Sequence, residues 1–261
     1  MELKNSTILI TGGTSGIGLE FVKQLIDHGA NIVITGRDIF KLEQAKKQFP
    51  KIQIFQSDVS EPNDIEQLYA QVTEAFPNLN MIINNAGQMR LIDLRDAELS
   101  LENITCEINA NLSGTIQMVH RFLPHLLKAK SAAIVNVSSA IAFMPYSSAP
   151  VYSASKSGVH AYTKALRLQL EKTNVKVFEV IPPGVNTNLQ NDWVLKPNPG
   201  QMMDVDRMVS AAIKGLLKDK LEIKPGLTAI VKFVSRIAPE FIMNVGHREF
   251  EKFKNLNSQK S

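Results

Sequence analysis

Cysteine is almost missing from this chain: Cys106 is the single one in 261 residues. One thiol makes no intramolecular disulfide and no zinc site built from several cysteines. His28, His120, His125, His160 and His247 show no metal-ligand grouping, so no metal is expected and none of them is given a catalytic role. Long apolar runs are also absent. No stretch approaches the ~20 residues of a membrane span. The opening M-E-L-K-N-S leads into a short apolar run, Ile8 to Ile10, without the long apolar core or cleavage site of a secretory signal. Charge of one sign is not concentrated either. The formal net charge of +4 is spread out, with only short clusters such as Lys46-Lys47. No basic stripe interleaved with aromatics marks a nucleic-acid surface. These absences make a reducing, cytoplasmic setting the expectation and leave nucleic acid out as a partner.

What is present is ordinary globular composition, 44% hydrophobic and 21% charged. The length suits one domain over residues 1–254, with a short disordered tail at 255–261. Strand and helix patterns alternate. T-I-L-I-T (Thr7 to Thr11), N-I-V-I-T (Asn31 to Thr35), I-Q-I-F-Q (Ile52 to Gln56), M-I-I-N-N (Met81 to Asn85), A-I-V-N-V (Ala133 to Val137) and V-K-V-F-E-V-I (Val175 to Ile181) read as strands. Between them, helical periodicity covers Gly16 to His28, a stretch capped by Asp38 and ending at Phe49, and Pro62 to about Phe76. It continues over roughly Leu101 to Lys128, with ends blurred by Gly114 and Pro124, and over Tyr152 to Glu171. Repeated β-α-β units imply an α/β fold: one doubly wound parallel sheet with helices on both faces.

The first strand runs into T-G-G-T-S-G-I-G, Thr11 to Gly18. Gly12, Gly16 and Gly18 let the backbone turn sharply and approach a ligand closely. The following helix N-terminus offers free N–H groups to a pyrophosphate, which makes the sheet Rossmann-like. The spacing is G-x-x-x-G-x-G, not the commoner G-x-G-x-x-G, and the competing reading is a glycine-rich turn with no ligand. After the second strand come Gly36, Arg37 and Asp38. An acid near here serves the ribose hydroxyl of NAD, and an arginine serves the 2′-phosphate of NADP. Gly36 carries no carboxylate, and Arg37 suits a phosphate. Asp38 reads first as a helix cap and otherwise as the ribose ligand. NADP(H) is therefore favoured, with NAD(H) the alternative.

Tyr152 and Lys156 lie four apart in Y-S-A-S-K, thirteen positions after Ser139. On a helix they share a face. A free phenol titrates near ~10, and an adjacent cation is expected to lower that value and ready the phenol for proton transfer. A surface tyrosine beside a solvated lysine is the bland alternative.

Taken in order, these segments resemble the short-chain dehydrogenase/reductase family over nearly the whole chain. To them are added D-V (Asp58, Val59), N-N-A-G (Asn84 to Gly87), N-A-N-L-S-G (Asn109 to Gly114), V-N-V-S-S (Val135 to Ser139) and P-P-G-V-N-T (Pro182 to Thr187). The E-I-K-P-G stretch, Glu222 to Gly226, and the overall character are similar to DltE-type oxidoreductases. The resemblance implies Tyr152 as acid/base, Lys156 as its partner on the nicotinamide ribose, and Ser139 as the catalytic serine, with Ser138 competing. It implies Asn111 as holder of a proton-relay water at a helix irregularity, with Asn109 competing. Around the cofactor it places Gly12, Thr14, Ser15, Gly16, Ile17 and Gly18, and assigns Asp58 and Val59 to the adenine. Asn85, Ala86 and Gly87 fall beside the adenosine ribose. Pro183, Gly184, Val185 and Thr187 fall at the nicotinamide and pyrophosphate. Two departures, Ala142 for a common glycine and Pro182 for a common asparagine, touch cleft shape more than chemistry.

The expected activity is hydride transfer between NADP(H) and a small carbonyl or alcohol substrate. A non-catalytic dinucleotide-binding scaffold is the rival, and a nucleotide-sugar epimerase the third reading. Substrate selection is expected in the segment from Thr187 to Val205, with Leu189, Trp193, Val194, Leu195, Met202 and Met203. Phe143, Met144, Tyr146 and Met89 are further wall candidates. Arg90 reads as solvated before it reads as a partner for an acidic substrate. Ile230, Phe233, Val234 and Ile237 form an apolar helical stripe beside Lys232 and Arg236, expected to pack on the protein itself or a sister subunit rather than on a membrane. A homodimer or homotetramer is expected through the helices carrying Asn111 and Tyr152.

Overall fold

The fold comes from a computed structural model that describes residues 2–190, 200 and 202–257. Strands β1 (Thr7–Thr11), β2 (Asn31–Gly36), β3 (Gln53–Gln56), β4 (Leu79–Asn84), β5 (Ala132–Val137), β6 (Val175–Val180) and β7 (Glu222–Ile223) form one sheet in the order β3-β2-β1-β4-β5-β6-β7. Every pairing is parallel. Helices α1 (Gly16–Asp27), α2 (Ile39–Gln48), α3 (Pro62–Ala75), α6 (Gly114–Leu126) and α7 (Pro150–Gln169) supply crossovers, after the short α4 (Leu101–Ile104) and α5 (Cys106–Ile108). Then come α8 (Val205–Leu217), α9 (Thr228–Ile237) and α10 (Pro239–Asn257).

The strands are β-branched and apolar because both sheet faces are covered. All of β1 and all of β5 are buried. Alternation splits each strand between two cores. Ile8, Ile10 and Ile34 pack with Phe21 of α1 and Met208 of α8. Leu9, Val33 and Ile134 pack on the other face with Leu68 of α3 and Phe122 of α6. Local signals fix the helix starts. The Asp38 carboxylate accepts from the Lys41 amide at 3.2 Å, and Pro62 and Pro150 begin α3 and α7, where a missing N–H costs nothing.

Three features differ from expectation, and a fourth, the α9 stripe, narrows it. The long helix is interrupted: α4 and α5 are separate, and a π-helical segment, Asn109–Ser113, precedes α6. A seventh strand exists, only two residues long and thus without a readable period. On α9, Val234 is half-buried while Ile230, Phe233 and Ile237 are 58%, 62% and 66% exposed, so most of the stripe is left for a second subunit rather than for the chain's own core. Helix α10 runs to Asn257, into the tail expected from 255, and 258–261 lie outside the described residues. No helix among the described residues is long and apolar enough to cross a membrane.

Candidate active site

The sheet changes winding direction between β1 and β4, and such a switch opens a crevice at the carboxyl ends of the strands. The loop from Gly12 to Ser15 enters it. Gly16 has φ +52°, a left-handed backbone that favours glycine, and its open face meets the Thr187 side chain. A Cβ at Gly18 would lie 2.1 Å from the Gly12 carbonyl oxygen, so only glycine lets α1 start this close to β1. Ser15 is the N-cap of α1 yet caps no amide with its side chain, which leaves that helix end open to an anion. Ile17 packs on the core, and Thr14 lies against Gly36.

The loop is braced from β4. The Thr11 hydroxyl accepts from the Asn85 and Ala86 amides, each at 3.0 Å, while the Asn85 side chain donates to the carbonyls of Thr11 and Gly12. Past β3, the Asp58 carboxylate accepts from the amide and hydroxyl of Ser60, and the Val59 carbonyl lies against Gly114. At the end of β6, the Gly184 carbonyl accepts from the Met203 amide at 2.9 Å, and Val185 bridges to Met203. Pro183 lies against Gly226. Arg37 is exposed and its guanidinium has no partner among the described residues, whereas Asp38 is engaged as a cap.

Between β5 and α7 the expected catalytic groups converge. Tyr152 and Lys156 are buried on one face of α7, and Ser139, just past β5, is a neighbour whose hydroxyl acts to lower the Tyr152 phenol. Lys156 Nζ donates to the Val137 carbonyl at 2.9 Å and stands 5.8 Å from the centroid of the Tyr152 ring. Asn111 lies within the π-helical segment and is fully buried. Its side chain accepts from the Gln88 amide and donates to the Gln88 carbonyl and the Ser155 hydroxyl. At Gly87, a Cβ would stand 3.1 Å from Asn111 Oδ1 and 3.5 Å from Lys156 Nζ, so the missing side chain leaves these groups room to meet. The alternatives are placed elsewhere. Asn109 is exposed, and the Ser138 hydroxyl donates to Glu179 at 2.5 Å.

Residues 6–198 match the short chain dehydrogenase family. The chain is 41% identical over 189 residues to the uncharacterized oxidoreductase DltE of Bacillus subtilis, covering 72% of this chain and 75% of that protein. This protein belongs to the short-chain dehydrogenase family. Its fold is similar to a short-chain dehydrogenase/reductase of Burkholderia phymatum solved with NAD (TM-score 0.82, 20% identity, 93% of this chain and 97% of that one). It is also similar to a short-chain dehydrogenase of Sphingobium yanoikuyae solved with NADPH (TM-score 0.79, 24% identity, 90% and 93%).

In this short-chain dehydrogenase the electrostatics of the pair run against one expectation. Lys156 does not bring the phenol of Tyr152 down in the protein alone. Burial dominates and pushes Tyr152 up to about 12; the Ser139 hydrogen bond opposes the rise and the Glu107 carboxylate adds to it. Burial also pushes Lys156 down to about 8, so its charge is partly lost in mild alkali. Arg90 is not a solvated arginine: it is bonded to Glu107. Of the substrate segment, Met202 and Met203 are half-buried and Leu189 is 38% exposed. Trp193, Val194 and Leu195 lie outside the described residues. Met89 is buried in one cluster with Tyr152, and Tyr146 packs against it. Phe143 and Met144 are half-buried.

Sequence reasoning missed the fully buried carboxylates Glu107 and Glu179, the latter bonded to Ser138 and His160. A signal existed for the first. Glu107 stands four before Asn111, so a helix turns both to the same buried side.

Proposed function

We propose that this protein is a nicotinamide-dependent carbonyl reductase or alcohol dehydrogenase that favours NADP(H), with Tyr152 as the proton donor and acceptor. One observation carries the reading: a buried phenol stands one helical turn from a buried lysine, whose Nζ is 5.8 Å from its ring centroid. The residues around the crevice at the carboxyl ends of the strands fit a dinucleotide. The uncapped start of α1 and Gly16 suit a pyrophosphate, and the exposed Arg37, whose guanidinium has no partner among the described residues, suits a 2′-phosphate. Asp58, Val59, Asn85, Ala86 and Gly87 would border the adenosine, and Pro183, Gly184, Val185 and Thr187 the nicotinamide end.

When bound, the nicotinamide exchanges a hydride with the substrate carbon. Tyr152 gives a proton to the carbonyl oxygen, or takes one from the alcohol, and Ser139 steadies the negative charge on that oxygen. Lys156, once charged, stabilises the phenolate left behind. Asn111, held by Gln88 and Ser155, borders the route by which Lys156 regains a proton from solvent. The apolar Met89 and the half-buried Tyr146 beside Tyr152 favour an apolar or mixed substrate. A non-catalytic scaffold has no need to bury a tyrosine and a lysine together, because each loses solvation there.

The test is a panel of aldehydes, ketones and alcohols with NADPH and NADH, followed by absorbance of the reduced nicotinamide. Turnover in the native protein and its loss by ~10²–10⁴-fold in Tyr152→Phe are expected. Undiminished turnover in Tyr152→Phe on a verified substrate removes the assignment.

A further inference from the structure

Between the sheet and α7 lies a buried polar cluster that the reaction described above does not use. Glu179 of β6 is fully buried, and its register partner on β5 is Asn136. Both side chains turn to the face that α7 covers. The Asn136 amide donates to Thr163 Oγ1 at 2.9 Å. The Glu179 carboxylate accepts from the Ser138 hydroxyl at 2.5 Å, and both of its oxygens stand 2.9 Å from His160 Nδ1. A carboxylate only accepts, so Nδ1 of His160 carries the proton. The Phe143 ring packs edge to face on the imidazole, with centroids 4.9 Å apart. Apolar side chains of similar volume would as a rule join these layers as firmly, because a buried carboxylate is costly to desolvate. What the polar cluster adds is therefore direction, since hydrogen bonds tolerate little displacement.

The cluster stands where direction matters. Tyr152, Lys156 and His160 are four apart, so they follow one another along a single face of α7. Ser138 is the residue before Ser139. The chain that leads to Ser139 is fixed to β6 by a backbone ladder that continues past the strands. The Ser138 amide donates to the Val180 carbonyl at 2.9 Å, and the Ala140 amide to the Pro182 carbonyl at 2.8 Å. Helix α7 has no such ladder. It meets the sheet through apolar side chains such as Leu166 and through four polar links: Lys156 to the Val137 carbonyl, His160 to Glu179, Thr163 to Asn136 and Arg167 to the Val177 carbonyl. Of these, only His160 reaches a group that is itself bonded to Ser138. We propose that His160, Glu179 and Ser138 are positioning residues: they lock α7 along its axis on the sheet and so set Tyr152, carried by the helix, against Ser139, carried by the sheet. The inference rests on Tyr152 and Ser139 sharing the proposed proton transfer. An axial slip of ~1 Å would carry the phenol out of line with the substrate oxygen, and a misplacement of that size can cost about 10²-fold in rate. Lys156 reaches through a flexible stem and can follow such a slip, whereas the phenol cannot.

Two measurements test it, and one does not depend on turnover. His160→Leu removes the link. His160→Asn keeps it, because the side-chain amide N–H of asparagine takes the place of Nδ1–H. In His160→Leu, hydrogen exchange of the α7 amides from Tyr152 to His160 is expected to speed up by about tenfold or more, with β5 unchanged. His160→Asn should exchange like the native protein. On a verified substrate, His160→Leu is expected to lower kcat by about tenfold to a hundredfold and to leave the cofactor dissociation constant within about threefold. His160→Asn should restore most of that loss. A cycle with Ser139→Ala then separates placement from destabilisation. If the cluster sets Tyr152 against Ser139, removing Ser139 costs far less in His160→Leu than in the native protein. If it only stabilises the fold, the two losses multiply. Unchanged exchange in α7, or losses that multiply, overturns the proposal. Should His160→Leu not fold, Ser138→Ala, which deletes a single hydroxyl, replaces it in both measurements, with smaller effects of the same sign. Undiminished turnover in Tyr152→Phe would instead sink the proposed function and leave the exchange result standing.

Discussion

Lys156 shows how a single residue serves two opposed demands. On the proposed reading its ammonium is charged when it stabilises a phenolate and meets the ribose, yet burial pushes it down to about 8. The sign follows. In the free protein, pH rising through 8 removes the charge, while the unfolded chain keeps it until about 10.5. Stability is therefore not lost as the pH rises through this window; what is lost is the cation that a dinucleotide needs. Cofactor affinity is expected to fall by up to tenfold per pH unit above about 8. Calorimetry at about pH 9 in two buffers of different ionisation enthalpy should show proton uptake on binding; heats independent of buffer would mean that Lys156 is already charged or is not used. Arg37 makes the second residue-scale prediction. A charge-assisted bond to a 2′-phosphate contributes about 1.5–3 kcal/mol, so Arg37→Ala should weaken NADPH by roughly tenfold to a hundredfold and leave NADH unchanged. Titration of both cofactors decides it. Tighter NADH than NADPH in the native protein would make Asp38 the ribose ligand as well as the cap.

At the scale of elements, the edge of the sheet depends on a charge cluster. Glu222 in β7 accepts from Lys224 at 3.1 Å and from Lys232 of α9 at 2.5 Å. Burial alone would raise its carboxyl, but the two lysines outweigh burial and hold it near 2. A depressed carboxyl stabilises the fold above its unfolded value near 4.5 and loses that contribution as pH falls toward 2. The melting temperature of Glu222→Gln should lie below the native one at pH 6, and the gap should close between about 4.5 and 2. A gap that persists at pH 2.5 would mean packing, not charge, holds α9 to β7. This clasp was not legible in the sequence, because two residues of strand have no period and the partners are ten positions apart. What was legible had a strong local cause. Buried β-branched runs marked the strands, the glycines before Gly18 marked the turn, and Asp38 marked a cap. The π-helical turn at Asn111 could be expected only through resemblance, since nothing in N-A-N-L-S separates one helical pitch from another. The stripe on α9 was legible as a stripe. Its exposure was not, because periodicity states which face is apolar and leaves open what covers it.

Among the described residues, apolar side chains remain uncovered in several places, and two of them bear on assembly. One surrounds α9 and α10, where Leu227, Phe233 and Phe241 are more than half exposed. The other lies on the outer faces of α6 and α7, with Ile116 at 37% and Leu168 at 73% exposure. The α7 face differs in kind. Ala154, Ala161 and Ala165 are exposed with Leu168 along one stripe of the helix, so another backbone can come close without side chains in the way. Two-fold pairing of that face on itself would bury the stripe symmetrically, and the helix that carries Tyr152 and Lys156 would be stiffened from outside. Homo-oligomerisation through α6 and α7 follows as the expectation, and it can be separated from the alternative. Leu168→Lys places like charges across the two-fold axis and should reduce the mass measured by light scattering at micromolar concentration to that of a monomer. Phe233→Lys alters only the α9 surface and should leave the mass as it was. The reverse pattern would move the subunit contact to the C-terminal helices, and a native protein that is monomeric at that concentration would end the argument for either.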